Sequence, residues 1–188
     1  MQQLALMNAL YKKDSKENIY NGEAFTYIFE TYYKRIYNYI YYRVDCQATA
    51  EDLTSQVFEK TMLNISKYAE EKAPFEVWLF AIARNVVKDY FRSFKKHSIL
   101  SFSIDKMKQL VSREKTPEDM ILTIETNARL AKAVKILDER ERNIIALKFG
   151  GNLKNNEIAK ILDITESNIG VILYRSMRKL KKEMEKEE

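Results

Sequence analysis

Residues 155–182, NNEIAKILDITESNIGVILYRSMRKLKK, carry two apolar registers separated by one break. Ile158, Ile161 and Leu162 fall on one helical face, and Ile169, Ile172, Leu173, Met177 and Leu180 fall on a second. Neither register runs through Asp163-Ile164-Thr165, so the spacing predicts two short helices hinged there. Asp163 suits a tight turn that needs a residue tolerant of left-handed backbone, and Thr165 is a good N-cap for the second helix. Ala159 is small where the helices should cross, with Ile164 plugging the corner. The pattern is that of a helix-turn-helix, whose second helix enters the major groove of DNA. Arg175, Arg178, Lys179, Lys181 and Lys182 follow with no acid before Glu183, a run suited to phosphate contacts. The other reading of the same residues is a helical hairpin with a solvated basic tail.

The rest of the chain is equally short of helix breakers. With 4 glycines and 2 prolines in 188 residues, long stretches run without either, which predicts an all-α protein. The length suits one or two small domains, and 46% hydrophobic residues suffices for real cores. The net charge of +5 is unevenly placed: Lys+Arg against Asp+Glu is 14 to 12 in residues 1–96, 4 to 5 in 97–127 and 14 to 10 in 128–188. The C-terminal part is the basic one, as expected of a segment that meets a polyanion.

Cys46 is the single cysteine and His97 the single histidine, which excludes an internal disulfide framework and a Cys/His zinc cluster. A lone thiol reads as a small packed hydrophobe. No Ser/His/Asp set, phosphate-binding glycine loop or metal cluster can be assembled, so no catalytic residue, metal or cofactor is expected. Residues 1–11 lack a basic n-region and a cleavage site, and no run reaches the length of a membrane span. A soluble cytoplasmic protein with no membrane insertion is therefore expected.

Taken in order, Gln2 to Lys13 suits a short amphipathic helix that ends near Asp14 to Asn18. Phe25, Ile28, Phe29, Tyr32, Ile36, Tyr39 and Ile40 then recur at helical spacing and predict a buried aromatic-rich stripe. A helix from about Ala50 to Ser66 would turn Leu53, Val57, Phe58 and Met62 inward and Glu51, Asp52, Ser55, Gln56 and Glu59 outward. Pro74 opens a long helix. Phe75, Trp78, Leu79, Ile82, Val86 and Tyr90 form its inward side, and Arg84, Lys88, Arg92, Lys95 and Lys96 its basic one. Interleaved rings and cations are what single-stranded nucleic acid needs, since bases stack and phosphates pair. A packed helix with an ordinary solvated face explains the same residues.

The period is lost between His97 and Thr116, the natural linker. Pro117-Glu118-Asp119 opens a helix carrying Met120, Ile121, Ile124, Ala128, Leu130 and Leu137. Asp138 and Glu141 suit a capping box for the next helix, with Ile144, Ile145, Leu147 and Phe149, and Gly150-Gly151 should end it. The expected organisation is thus two small helical domains joined by an extended linker, the C-terminal one a helix-turn-helix.

AEDLTSQVF at 50–58, PFEVWLFAIARNVVKDYFR at 74–92, TPED at 116–119, LDERERNIIALKF at 137–149 and the helix-turn-helix, in that order and spacing, resemble a bacterial RNA polymerase sigma factor. The group it is most similar to is the small two-domain extracytoplasmic-function (ECF) class of the sigma-70 family, and the likeness spans about residues 21–183. The resemblance implies a region 2 domain over residues 1–96, a linker over 97–116 and a region 4 domain over 117–188. It implies a docking helix for the core enzyme's largest subunit that uses Asp52, Leu53, Ser55, Gln56 and Phe58, with Ser55 and Gln56 standing where Gln and Glu are more common.

For the minus-ten element the resemblance implies Tyr68, Trp78, Asn85, Lys88, Asp89 and Arg92. Asn85 lies at the family position near a pocket for a flipped base, whose extrusion costs a few kcal/mol of stacking. For the minus-thirty-five element it implies Ser167, Asn168, Val171, Arg175, Arg178 and Lys179. Asn168 suits a paired contact to adenine and Val171 a thymine methyl. Relatives often carry arginines where Gly170 and Ile172 stand. The ~20 linker residues reach at most about 66 to 72 Å, against about 70 Å for two turns of duplex. The implied partners are core RNA polymerase, promoter DNA and an anti-sigma factor, with no enzymatic activity. Two rivals differ in class: a stand-alone helix-turn-helix transcription repressor, which would bind duplex DNA tightly without polymerase, and an enzyme of nucleic-acid metabolism, against which the lack of a carboxylate cluster weighs.

Overall fold

A computed structural model describes residues 22–44, 46–98 and 133–187, and every regular element among them is helical. The predicted helix over 2–13, the linker from residue 99 onward and the helix opened by Pro117, as far as Lys132, lie outside the described residues.

The first unit, which ends at Asp89, contains α1 (Gly22–Val44), α2 (Gln47–Asn64, continued by a 3₁₀ turn Ile65–Lys67) and the greater part of α3 (Phe75–Ser98). The α1 register is as predicted where it matters most: Ile28, Tyr32, Ile36, Tyr39 and Ile40 are buried. Its first turns depart from the reading, because Phe29 is 39% exposed and Phe25 half-buried. Both rings instead lie over Phe58 of α2, with centroids 4.9 and 6.4 Å away.

Leu53, Val57 and Phe58 of α2 are buried with Ala50, and Met62 sits at the margin. Thr54 and Thr61 share that core face, which polarity alone did not suggest. Their hydroxyls donate to the carbonyls of Ala50 (2.6 Å) and Val57 (2.7 Å), so each brings its own acceptor inside. Cys46, expected as a packed hydrophobe, stands exposed just before α2.

Pro74 immediately precedes α3, and its carbonyl accepts from the Trp78 N–H at 3.2 Å. The buried side of α3 comprises Val77, Leu79, Phe80, Ala83, Val86 and Val87, while Phe75, Trp78, Ile82 and Tyr90 are only half-buried. Trp78 and Tyr90 thus mark the edge of the interface, while Phe80 and Leu79 are enclosed with the smaller Val77, Ala83, Val86 and Val87. Tyr39 meets the Phe80 ring edge-on at 6.0 Å. Arg35 pairs with Glu76 at the start of α3 and lies 5.5 Å over the Phe80 ring, tying α1 to α3. The helix continues to Ser98, two residues into the predicted linker.

Burial pushes the Tyr39 hydroxyl up to about 12 from its ordinary 10.0, against a smaller opposing pull from Arg43 and Arg84. The unfolded chain gives up this proton near pH 10 and the folded chain keeps it until about pH 12. The stability that is fully present below pH 10 is therefore lost between pH 10 and 12, at roughly 1.4 kcal/mol per pH unit. Tyr39→Phe should flatten this alkaline loss in denaturant titrations followed by Trp78 fluorescence. An unchanged slope would clear the Tyr39 hydroxyl of responsibility.

In the second unit, α4 (Glu139–Ile145) passes into a π turn (Ala146–Gly150), followed by α5 (Asn155–Leu162) and α6 (Glu166–Met184). The predicted capping box is present: Glu141 N–H donates to Asp138 Oδ1 at 2.8 Å, and Asp138 N–H donates to Glu141 Oε2 at 3.0 Å. Gly150-Gly151 does not end the helix through left-handed glycine. Both glycines are buried, Gly151 stays right-handed, and Asn152 (φ 52°) makes the reversal. The widened turn is closed by Gly151 N–H to the Ala146 carbonyl at 2.9 Å. Phe149, the last apolar residue of that stretch, is 54% exposed.

The hinge follows the sequence closely. Asp163 is left-handed (φ 55°, ψ 51°), and the Thr165 hydroxyl accepts from Asn168 N–H at 3.2 Å. Ile158, Ala159 and Ile161 of α5 are buried, and so is Ile169 of α6. Further along α6 the register corrects the reading: Ser176 and Leu180 complete the buried line and Met177 is 46% exposed. A serine on the core face is invisible to an apolar count. At the far end, Leu180 packs with Ala133 and Leu137, flanked by Val134, Ile145 and Met184.

Candidate nucleic-acid and partner interfaces

On α2, Asp52, Ser55, Gln56 and Glu59 are all exposed and spaced by three or four residues, which places them on one face. The Ser55 hydroxyl donates back to the Glu51 carbonyl at 3.1 Å, leaving the Asp52 and Glu59 carboxylates and the Gln56 amide as the polar groups that project. Leu53 (5% exposed) and Phe58 (3%) lie on the opposite side, inside the core. Phe58 is covered by Phe25, Phe29 and Tyr33. The resemblance groups Asp52, Leu53, Ser55, Gln56 and Phe58, and the fold divides these five into three that face out and two that support the helix.

A second surface runs along α3. Asn85, Lys88, Asp89 and Arg92 are exposed at helical spacing, and Trp78, seven residues before Asn85, is half-buried on the same line. Trp78 belongs to an aromatic cluster: Tyr68 and Phe75 lie 5.2 and 5.6 Å from its ring, and Tyr32 lies 5.7 Å from Phe75. Tyr68 is 3% exposed, and its hydroxyl donates to the Ala73 carbonyl at 3.0 Å. This closes the loop 68–73 on itself, so Tyr68 positions the loop beside α3 from beneath. The arrangement offers an exposed amide, two cations and one carboxylate on the same helix as an aromatic cluster, groups that can pair with phosphates and stack on an unstacked base.

The third surface is the outward side of α6. Ser167, Asn168, Val171, Arg175 and Arg178 are exposed there, opposite the buried line of Ile169, Ser176 and Leu180. Lys179 points elsewhere: its ammonium lies 2.6 Å from Glu141 Oε1. Glu141 thereby serves both the cap of α4 and the seating of α6, so Lys179 is engaged in the fold. Sequence reading missed Tyr174, which is 64% exposed on the same side as Val171, with the Arg178 guanidinium 5.8 Å over its ring. Its place one turn after Gly170 was the available signal. Among the described residues no group of acidic, His and Cys side chains is arranged to hold a metal ion, and no helix is long and apolar enough to cross a membrane.

These surfaces fall within segments that match known families. Residues 28–97 match the family described as Sigma-70 region 2, and residues 133–182 that described as Sigma-70, region 4. The chain is 35% identical over 159 residues to the ECF RNA polymerase sigma factor BldN of Streptomyces coelicolor, an alignment covering 85% of this chain and 60% of BldN's length. It is 26% identical over 186 residues to the ECF RNA polymerase sigma factor SigW of Bacillus subtilis, covering 95% of this chain and 98% of that relative. Among solved structures, CnrH in complex with the cytosolic domain of CnrY shares the fold, with a TM-score of 0.69 at 17% identity over 98% of this chain and 97% of that one.

Proposed function

This chain belongs to the extracytoplasmic-function class of the sigma-70 family of RNA polymerase sigma factors, and from that premise we propose that it binds core RNA polymerase and directs transcription initiation at promoters carrying minus-ten and minus-thirty-five elements. The observation that carries the reading is the α6 face, where Asn168, Val171, Arg175 and Arg178 stand outward on a helix whose start is fixed by Thr165. An amide suits adenine, a methyl-bearing side chain suits thymine, and guanidinium groups suit guanine or phosphate. Arg175 and Arg178 take the phosphate and base contacts that the sequence grouped with Lys179.

The two family segments divide the work. Residues 1–96 dock the polymerase through Asp52, Ser55 and Gln56, with Leu53 and Phe58 holding that helix in shape. The same domain opens the minus-ten element with Asn85, Lys88, Asp89 and Arg92 around the floor of Trp78, while Tyr68 fixes the adjoining loop. Residues 117–188 read the minus-thirty-five element, and the linker 97–116 spans the distance between them. The protein acts in the cytoplasm as a specificity subunit rather than as a catalyst, and an anti-sigma factor is its third partner. A stand-alone repressor is not favoured, because it has no use for a region 2 segment.

The test is transcription reconstituted from purified protein and bacterial core polymerase on genomic fragments, with starts mapped. Discrete starts sharing two upstream motifs support the reading. No starts, together with tight duplex binding by the protein alone, would replace it with the repressor. In the same system Arg175→Ala with Arg178→Ala should reduce the slope of log affinity against log salt by about 2, since each lost phosphate contact removes about 0.9. An unaltered slope would place both arginines away from the DNA.

A further inference from the structure

Gly170 is a residue that the fold of this chain does not require. It lies in the second turn of α6 without a positive φ, so no left-handed backbone calls for glycine. A methyl group placed on it would meet no other part of the chain within 4 Å. Glycine is nonetheless among the most costly residues inside a helix. What the chain itself has no use for points to a neighbour outside it.

The surroundings indicate what that neighbour is. One turn further, Tyr174 is 64% exposed with Arg178 stacked over its ring, and Val171 and Met177 are 45% and 46% exposed beside it. From Ser167 to Lys182 the helix has five cations and no acidic residue, although Lys179 is paired with Glu141 and Lys181 with Glu185, which leaves Arg175, Arg178 and Lys182 for an outside anion. A ring exposed among cations, next to a bare backbone, matches a sugar–phosphate strand, which offers an apolar deoxyribose edge and an anionic oxygen together.

We propose that Gly170 and Tyr174 form a seat for one backbone strand of the promoter duplex. The missing side chain at Gly170 lets the strand lie against α6. The Tyr174 ring, held by Arg178, covers the sugar, and its hydroxyl donates to a phosphate oxygen. The proposal rests on the reading that α6 meets promoter DNA. It adds a contact that sets how closely the helix enters the groove, and through that which bases Asn168 and Val171 reach.

The experiment uses the full chain reconstituted with core polymerase on a promoter found by start mapping, comparing wild type with Gly170→Ala, Tyr174→Phe and Tyr174→Ala. Three quantities are read: melting temperature of the chain, affinity for core polymerase, and promoter affinity at fixed salt. Gly170→Ala should melt a few degrees higher and bind core unchanged, yet lose about tenfold in promoter affinity. Tyr174→Ala should lose a similar factor and Tyr174→Phe less, which isolates the hydroxyl. A higher melting temperature with promoter affinity intact would overturn the seat. So would variants that lose core affinity alone, which would assign the patch to a protein partner. A wild-type protein that yields no discrete starts would overturn the sigma-factor reading and the seat together, whereas responsive wild type with indifferent variants overturns the seat only.

Discussion

Ile169→Ala should unfold the helix-turn-helix unit while leaving the first unit folded. Ile169 is fully buried where α6 crosses α5, and truncating such a residue costs about 2–5 kcal/mol through lost burial and the cavity left behind. A core this small rarely supplies more than about 3–5 kcal/mol, so the loss is comparable with the whole. The single tryptophan separates the two units in one experiment, because Trp78 belongs to α3. Denaturation followed by circular dichroism should show a missing or strongly weakened transition, while the Trp78 fluorescence midpoint stays in place. A Trp78 midpoint that falls in step would mean that the units unfold as one body. Unchanged dichroism would mean that Ile169 is not the keystone its burial indicates.

Phe58→Ala and Asp52→Ala should separate support of α2, the proposed docking helix, from contact by it. Phe58 is enclosed by Phe25, Phe29 and Tyr33, so its removal should cost roughly 3–5 kcal/mol of stability in the first unit, seen as a lower Trp78 midpoint. Any loss of polymerase binding would follow from that. Asp52 is exposed and lies on the outward face, so its removal should change stability by no more than about 0.5 kcal/mol. Core affinity should fall all the same, by roughly tenfold or more. A folded Asp52→Ala protein with full core affinity would sink the docking assignment, and a stable Phe58→Ala protein would show that the ring is less enclosed than its neighbours make it.

A motif groups residues that the helix then separates. AEDLTSQVF places Asp52, Leu53, Ser55, Gln56 and Phe58 in one string, but a helix sends positions 52, 55 and 56 outward and 53 and 58 inward. In the same way Lys179 follows Arg178 in the basic run, yet one step of about 100° brings its ammonium to Glu141.

Sequence by itself determined the helical class, the hinge at Asp163 to Thr165, the capping box of Asp138 and Glu141 and the main register of α1. Each of these is a local matter, settled by the backbone preferences of one residue or by hydrogen bonds spanning three or four positions. The family motifs were legible for the same reason, as strings of fixed order. Tertiary structure decided what depends on who lies opposite: that Ser176 rather than Met177 faces the core, that Val77 and Ala83 are buried in α3 while Trp78 is not, that Phe29 and Phe149 remain at the surface, and that Tyr68 holds a loop from below. Burial is a property of a pair of surfaces, so no count of hydrophobic side chains along a single chain can place them.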